Sequence, residues 1–359
     1  YLPTEASTND FYGGHRPGDN LFTQSLVALD ASTGDRVWHF QMIHHGLWDY
    51  DTPAAPNLID ITVDGREIKA IAQVTKQGFT YVFDRATGVP VWPIIERAVP
   101  AATIPGERAS PTQPFPTKPP AFALQGLTED DLIDFTPALR AEAVQRLENF
   151  TYGPLFTPPS LPQGDKRGTI LMPGAGGGAN WTGAGIDPES GVLFVPSRDS
   201  ATVPRMGTLD GDESNFNYFR LNFLGVAGPQ GLPILKPPYS TITAFDMNSG
   251  EILWRVPNGA GSAQVENSPA LEGIDLPPLG GGGRHAVLVT SSLLIHGQNA
   301  GYGPLLVARN KETGAEMATI EIPANPSGAP MSYAVDGRQY IAISVGSTPV
   351  PELVVYALP

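Results

Sequence analysis

The sequence predicts an all-β protein: a β-propeller whose blades are four-stranded sheets with the W motif. Three observations predict this fold. One turn pattern recurs along the chain, the segments beside it alternate apolar with polar residues, and the copies are spaced widely enough for a four-stranded sheet each. With 359 residues, 41% of them hydrophobic, the chain is long and apolar enough to bury a sizeable core.

The recurring turn consists of an apolar pair, an Asp or Asn, a few polar residues and a glycine. In the three clearest copies a Trp follows the Asp by eight residues: Asp30 and Trp38, Asp84 and Trp92, Asp246 and Trp254. Weaker copies occupy residues 186–191 and 308–314. An Asp that caps backbone amides and a glycine with left-handed φ are typical of a tight β-turn. The pattern therefore predicts five hairpins.

The Asp or Asn residues of successive copies are 54, 103, 59 and 64 positions apart. Apart from the long interval, each spacing suits one blade, so we expect about five blades of a ring. A β-sandwich with coincidentally similar turns is the simpler alternative. The long interval predicts an insertion over residues 97–165, positioned to cover one face of the ring.

The insertion has two parts of different character. Residues 105–120 are rich in proline, which predicts an extended surface loop. Residues 130–150 have a helical pattern of apolar side chains, and Thr136 and Pro137 suit the cap and the first helical position. The apolar face of this helix is formed by Leu132, Leu139, Ala143, Val144 and Leu147.

Composition excludes several classes of function. The formal net charge of −14 disfavours binding to nucleic acid or to an anionic membrane surface. The absence of cysteine rules out thiol nucleophiles, iron–sulfur clusters, thiolate zinc sites and disulfide frameworks. No apolar run approaches the roughly 18 residues of a membrane-spanning helix.

The densest group of polar and aromatic residues is 44–51, HHGLWDYD. Two carboxylates spaced two apart on an extended segment point the same way, so Asp49 and Asp51 could share a hard cation such as calcium. The alternative is a connecting loop whose Asp residues cap backbone amides. The pair His44 and His45 is interpreted as packed or hydrogen-bonded, since no third metal ligand is near it in the sequence.

Two further segments carry candidate binding groups. Lys76 precedes an apolar strand, where it could donate to an anionic or quinoid oxygen, or simply be a solvated lysine at a strand end. The glycines of residues 173–178 suggest close backbone approach to a ligand, and Asn180 and Trp181 add an amide and a flat ring. A flexible loop with one core Trp is the alternative for this segment.

In this order and spacing, residues 14–22, 25–30, 44–51 and 75–78 resemble the pyrroloquinoline quinone (PQQ) dependent dehydrogenases, most closely the glucose and polyol branch. Residues 180–181, 328–331 and 352–359 extend the resemblance over the whole chain. It implies an eight-bladed ring whose carboxy-terminal portion is this single, partial domain of residues 1–359. We therefore expect an open arc of blades that would aggregate and bind the quinone poorly on its own.

The resemblance also implies roles for individual residues. Asp49 is implied as general base and metal ligand, Asp51 as a second ligand, and Lys76 as donor to the quinone oxygens. Asn180 and Trp181 are implied in the cofactor pocket. The metal is implied to be calcium, magnesium or a lanthanide. Where the family often has a metal-ligating Asn this chain has Ala6, and Asn9 is the substitute ligand that we predict.

The implied function is oxidation of an alcohol, polyol or sugar to a carbonyl compound or lactone. The resemblance also implies a periplasmic location and transfer of electrons to a membrane quinone or a cytochrome. Two alternatives stay open: a non-catalytic propeller scaffold in envelope assembly, and a sugar-cleaving propeller enzyme with paired carboxylates from different blades.

Overall fold

The computed structural model describes residues 1–209, 213–281, 283–300, 303–346 and 350–357. The chain forms two compact units. The first comprises Tyr1–Leu58, Ile68–Trp181 and Asp199–Lys236. The second comprises Ile59–Glu67, Thr182–Arg198 and Pro237–Pro359.

Strands make up most of the regular structure. The strands before the longer helix are β1 (Leu2–Pro3), β2 (Ser25–Leu29), β3 (Arg36–Gln41), β4 (Asn57–Val63), β5 (Arg66–Val74), β6 (Thr80–Asp84), β7 (Ile94–Ala98) and β8 (Thr112–Pro116). Helix α1 (Pro137–Leu147) is followed by β9 (Gly185–Asp187), β10 (Val192–Arg198), β11 (Thr202–Gly207), β12 (Phe219–Gly225), β13 (Ser240–Asp246) and β14 (Glu251–Pro257). After the short helix α2 (Ala263–Glu266) come β15 (Val287–Val289), β16 (Leu293–Ala300), β17 (Gly303–Asn310), β18 (Glu316–Glu321), β19 (Met331–Val335), β20 (Arg338–Val345) and β21 (Glu352–Ala357). Short 3-10 helices lie at Glu129–Asp131, Pro229–Gly231 and Pro269–Leu271. Neither α-helix of the described residues has the length and hydropathy to cross a bilayer.

The strands form separate small sheets, as a propeller requires. The first unit holds β1-β2-β3, β7-β8 and β11-β12, and the second holds β14-β13-β10-β9, β15-β16-β17-β18 and β19-β20-β21. Pairing in these six sheets is antiparallel. A further sheet has the order β4-β5-β6. The all-β prediction is confirmed; two sheets have the predicted four strands, and three have three within the described residues.

The structure confirms the strand at the carboxy-terminal end, but it does not test the predicted number of blades. The predicted closing segment forms β21, which pairs with β20, while Leu358 and Pro359 lie outside the described residues. The number of blades, the single domain over residues 1–359 and the open arc stay predictions.

The repeated turns have the predicted geometry. In the clearest copies the Asp side chain accepts hydrogen bonds from amides two and three residues on, as Asp30 Oδ1 does at 2.8 and 3.2 Å. The five turn glycines all have left-handed φ: Gly34, Gly88, Gly191, Gly250 and Gly314. The third and fourth copies join β9 to β10 and β13 to β14, which are hairpins of one sheet. The expectation of one copy per blade is therefore wrong. The motif belongs to a single hairpin, and this one sheet contains two copies of it.

In the first and fourth copies, the Trp docks on the turn of the next copy. Trp38 Nε1 donates to the Arg85 carbonyl at 3.0 Å, and Trp254 Nε1 donates to the Lys311 carbonyl at 3.1 Å. Each ring also covers the turn glycine: a Cβ at Gly88 would lie 2.7 Å from the Trp38 ring. This contact explains why the Asp, Gly and Trp recur together in the sequence.

Gly88→Ala is expected to destabilise the protein more than Gly34→Ala. Gly34 has φ of +79° and Gly88 has φ of +74°, so both substitutions incur a left-handed backbone cost of about 1–2 kcal/mol. A Cβ at Gly34 meets nothing within 4 Å, whereas one at Gly88 must displace Trp38, adding about 1–3 kcal/mol. Denaturant unfolding of the two variants measures the difference, and equal losses would show that docking of Trp38 adds nothing to stability.

The helix predicted from residues 130–150 is confirmed over Pro137–Leu147, with Leu132 outside it, and the prediction for the proline-rich part of the insertion is partly wrong. Helix α1 begins at Pro137, Thr136 Oγ1 accepts from the Leu139 amide, and Leu139, Ala143 and Leu147 are buried. Residues 105–120, however, include β8, which pairs with β7, and Gln113 in it is fully buried. Proline is compatible with a strand that has only one neighbour, because its missing N–H can face away from the ladder.

Candidate functional site

The predicted carboxylates and the predicted lysine converge in the first unit. Lys76 Nζ lies 2.7 Å from Asp51 Oδ2 and 3.2 Å from Asp49 Oδ1, and donates to the Asp49 carbonyl at 2.8 Å. The side chain of Lys76 is 7% exposed. The alternative of a solvated lysine is therefore wrong, and the three N–H donors of the ammonium are used on two neighbouring aspartates.

Local sequence explains how Lys76 is presented. It lies in the turn that joins β5 to β6, where Thr75 Oγ1 accepts from the Phe79 amide at 3.2 Å. Gly78 occupies a left-handed φ of +88° in this turn. The neighbouring strands are buried over most of their length, so the turn is held rigidly and its lysine points at the aspartates.

The aspartates are presented by a loop after β3 whose aromatic residues are anchored in the core. Trp48 and Tyr50 are each 1% exposed, while the side chains of Asp49 and Asp51 are 26% and 24% exposed. The segment is not extended as predicted, because Asp49 has φ of +55°. Both carboxylates still reach one ammonium, since the left-handed residue and the buried rings set their direction.

The two carboxyl groups have opposite pKa shifts. Burial raises the pKa of Asp49 to about 7; the Lys76 ammonium opposes this shift and the Asp51 carboxylate adds to it. Burial acts in the same sense on Asp51, but hydrogen bonds from Lys76 and from the Ala6 amide hold its pKa below the ordinary value. Of the two carboxyl groups, Asp49 is therefore the more readily protonated and Asp51 the more readily ionised.

The glycine loop approaches Lys76 closely, while its predicted approach to a ligand stays a prediction. The Gly178 amide donates to the Lys76 carbonyl at 2.8 Å, and a Cβ at Gly177 would lie 2.5 Å from the Lys76 Cβ. Tyr50 OH donates to the Pro173 carbonyl at the start of the same loop. The glycines are thus needed for packing of the loop over the lysine.

Asn180 and Trp181 end this loop. Asn180 Nδ2 donates to the Gly176 carbonyl at 2.9 Å, and its Oδ1 accepts from the Trp181 amide at 2.7 Å. The Trp181 side chain is 59% exposed, so its ring is open for stacking and the alternative of a core Trp is wrong. Their contact with a cofactor stays a prediction.

The amino-terminal segment reaches Asp51 through its backbone. The Ala6 amide donates to Asp51 Oδ1 at 2.8 Å, so the position without the family Asn still contacts the site. Asn9 is buried, and its Nδ2 donates to the Tyr218 carbonyl at 2.9 Å. Its role as a metal ligand stays a prediction.

Sequence reasoning missed three polar residues near this site. Asp10 is half-buried; burial raises its pKa, and the nearby Asp51 carboxylate raises it further. Glu107 and Gln113, both in the insertion, hold the two histidines of residues 44–51. Asp10 adjoins Asn9 and could have been found from that position, whereas no spacing in the sequence connects Glu107 or Gln113 with the histidines.

The donor set fits a hard cation beside a quinone. Asp49 and Asp51 supply the carboxylate oxygens that calcium and lanthanide ions prefer, and Lys76 offsets only part of their negative charge. Within the described residues, no group of three or more His, Cys, Asp or Glu side chains is close enough to hold a metal by itself. Asp49 and Asp51 would hold the cation, and Lys76 and the exposed ring of Trp181 would contact the quinone.

The fold consists of small antiparallel sheets with docked Trp residues, and the site places a lysine between two aspartates. Together these features point to the quinoprotein class of β-propellers. The family model described as the PQQ glucose/ethanol/alcohol dehydrogenase β-propeller domain matches residues 1–341, and the chain belongs to this family.

The names of similar proteins are consistent with this family assignment. The glycerol dehydrogenase large subunit of Gluconobacter oxydans (strain 621H) is 32% identical over 100% of this chain and 52% of its own length. The quinoprotein glucose dehydrogenase of Escherichia coli (strain K12) is 30% identical over 100% of this chain and 47% of its own. The chain thus spans about half the length of these relatives.

Solved structures support the fold. The quinohemoprotein alcohol dehydrogenase from Comamonas testosteroni matches with a TM-score of 0.57 and 21% identity, covering 96% of this chain and 42% of that one. At this level of identity, the likeness concerns the fold alone.

Proposed function

We propose that this chain carries the catalytic carboxylate and the quinone-binding lysine of a PQQ-dependent dehydrogenase acting on an alcohol, polyol or sugar. The observation that supports it most is the buried Lys76 ammonium shared by Asp49 and Asp51. A scaffold propeller has no need of such a cluster, because burying an ammonium between two partly exposed carboxyl groups carries a desolvation cost. The named activities of the relatives, glycerol and glucose oxidation, support the substrate class.

Asp49 is the proposed general base. Its carboxylate is partly exposed, so a substrate hydroxyl can reach it, and it takes the hydroxyl proton. Asp51 stays ionised because Lys76 and the Ala6 amide donate to it. Bound PQQ with a calcium, magnesium or lanthanide ion would supply the acceptor for the two electrons of the alcohol.

Lys76 has to release one of its present partners to bind a quinone oxygen. Its three donors are already used on Asp49 and Asp51. A hard cation held by the carboxylates would take over the charge balance and free one N–H of the lysine. Periplasmic location and delivery of electrons to a membrane quinone or a cytochrome belong to the same proposal and rest on the family alone.

Turnover of the full-length, reconstituted protein with an artificial electron acceptor tests the proposal. Reduction of a dye is followed with ethanol, glycerol and glucose, after addition of quinone, of calcium or lanthanum, and of both. We expect dye reduction only when quinone and cation are both present. Absence of quinone binding and of dye reduction under all these conditions would favour the scaffold.

A further inference from the structure

Two adjacent histidines each pair with a glutamate, His44 with Glu96 of β7 and His45 with Glu107 of the insertion, but the two pairs differ in burial. His44 Nε2 lies 3.0 Å from Glu96 Oε1, and the Glu96 side chain is 50% exposed. His45 Nε2 lies 2.8 Å from Glu107 Oε1, and these side chains are 1% and 2% exposed. The second pair is therefore shielded from water, and the first is not.

The hydrogen bonds of His45 occupy both of its ring nitrogens. Its Nδ1 lies 2.6 Å from the Gly18 carbonyl oxygen, and its Nε2 faces the Glu107 carboxylate. A carbonyl oxygen can only accept, so Nδ1 donates to Gly18. Burial raises the pKa of Glu107, but hydrogen bonds from His45 and from two backbone amides hold it below its ordinary value. The contact is thus a buried hydrogen bond between an imidazole and a readily ionised carboxyl group.

This pair joins three segments of the first unit. Glu107 Oε2 accepts from the Gly13 amide, and His45 donates to Gly18, so both ends of residues 13–18 are attached to it. A Cβ at Gly13 would lie 2.3 Å from His45 Nε2, so the segment packs directly on the ring. His45 itself has a left-handed φ of +47°, a conformation that needs external support in a non-glycine residue.

The insertion holds the neighbours of His45 as well. Gln113 accepts from the His44 amide at 2.8 Å and donates to the His44 carbonyl at 2.7 Å. Trp48 Nε1 donates to the Thr157 carbonyl at 2.9 Å. The backbone leading to Asp49 is therefore fixed from the insertion at His44, His45 and Trp48.

We propose that the buried His45–Glu107 pair positions the site: it holds the loop of residues 44–51 in one conformation, so that Asp49 and Asp51 reach Lys76 together. In this proposal the pair acts on the loop and not directly on substrate or cofactor. Its link to catalysis rests on the proposed function, while its effect on the loop does not.

Glu107→Gln tests the pair, and Glu96→Gln is the matched control. Each variant replaces a glutamate that contacts one of two adjacent histidines, but only the Glu107 side chain is buried. In the reconstituted enzyme we expect Glu107→Gln to lower kcat about 10–100-fold with little change in KM, because the carboxylates are misplaced while the substrate pocket persists. Glu96→Gln should leave both constants at wild-type values.

Two readouts do not depend on turnover. Hydrogen exchange should show loss of amide protection across residues 44–51 in Glu107→Gln and not in Glu96→Gln. Terbium luminescence sensitised by Trp48 reports a hard cation at Asp49 and Asp51, and we expect its affinity to fall about 10–100-fold in Glu107→Gln alone.

The double variant His45→Gln with Glu107→Gln removes both members of the buried pair, so neither is left without its partner. It is the variant to measure if Glu107→Gln alone does not fold. If the pair acts as a unit, the double variant loses no more activity or protection than the worse single variant. Wild-type exchange and terbium affinity in both the single Glu107 variant and the double variant would overturn the proposal. If wild type shows neither turnover nor terbium binding, the proposed function fails, and the exchange comparison alone decides the role of the pair.

Discussion

Asp49→Asn is expected to lower kcat by about 10²–10⁴-fold while leaving the fold intact, because an amide cannot accept the substrate proton. It is also a poorer ligand for a hard cation than a carboxylate. The fold should persist because Asp49 has φ of +55°, a conformation that asparagine adopts at least as readily as aspartate. Steady-state turnover of the reconstituted enzyme and its thermal unfolding temperature measure the two effects.

Asp64→Asn is the control for this substitution. Asp64 is exposed and has a similar φ of +50°, but it lies in the β4–β5 turn, outside the Asp49, Asp51 and Lys76 cluster. The same chemical change in the same backbone conformation should leave turnover unaltered. Turnover of Asp49→Asn within about tenfold of wild type would show that Asp49 is not the base.

Lys76→Met and Lys76→Ala are expected to weaken quinone binding and to lower kcat, by about 10²–10³-fold for the methionine variant. Removal of the ammonium leaves two adjacent carboxylates without their shared donor and removes the donor to the quinone. Methionine keeps an apolar stem packed against the Gly177 backbone. The loss of affinity and rate in Lys76→Met therefore measures the contribution of the positive charge rather than of packing. Titration of the quinone by absorbance measures the affinity.

Lys76→Arg separates charge from shape. The guanidinium keeps a positive charge at the site, so we expect this variant to lose less affinity and rate than Lys76→Met. Lys76→Ala with the quinone affinity and rate of wild type would contradict the assignment of Lys76. Losses of equal size in all three variants would show that the ammonium is required for its geometry as well as its charge.

Much of the fold could be predicted because its determinants are local. The Asp that caps each turn, the glycine with left-handed φ and the docked Trp all lie within one short repeat, so the hairpins are visible in the sequence. The number of sheets is not visible in the same way, since the third and fourth copies share one sheet. Pairing of strands distant in sequence is set by packing that no local pattern records.

The site could be predicted in part for a similar reason. Asp49, Asp51 and Lys76 lie in short motifs, and the structure brings them together. The side chains that hold them were missed, because Glu107 and Gln113 come from the insertion, whose composition indicated a surface loop. Burial of a single glutamate against a histidine 62 residues earlier is a tertiary property, and nothing in the neighbouring sequence marks it.

The most direct test of the proposed site is a crystal structure of the enzyme soaked with quinone and a lanthanide ion. The lanthanide is located by its anomalous scattering. We expect one anomalous peak about 2.3–2.6 Å from carboxylate oxygens of Asp49 and Asp51. The quinone should lie with an oxygen in hydrogen-bond range of Lys76 Nζ. A peak away from both aspartates, or a quinone out of reach of Lys76, would contradict the account.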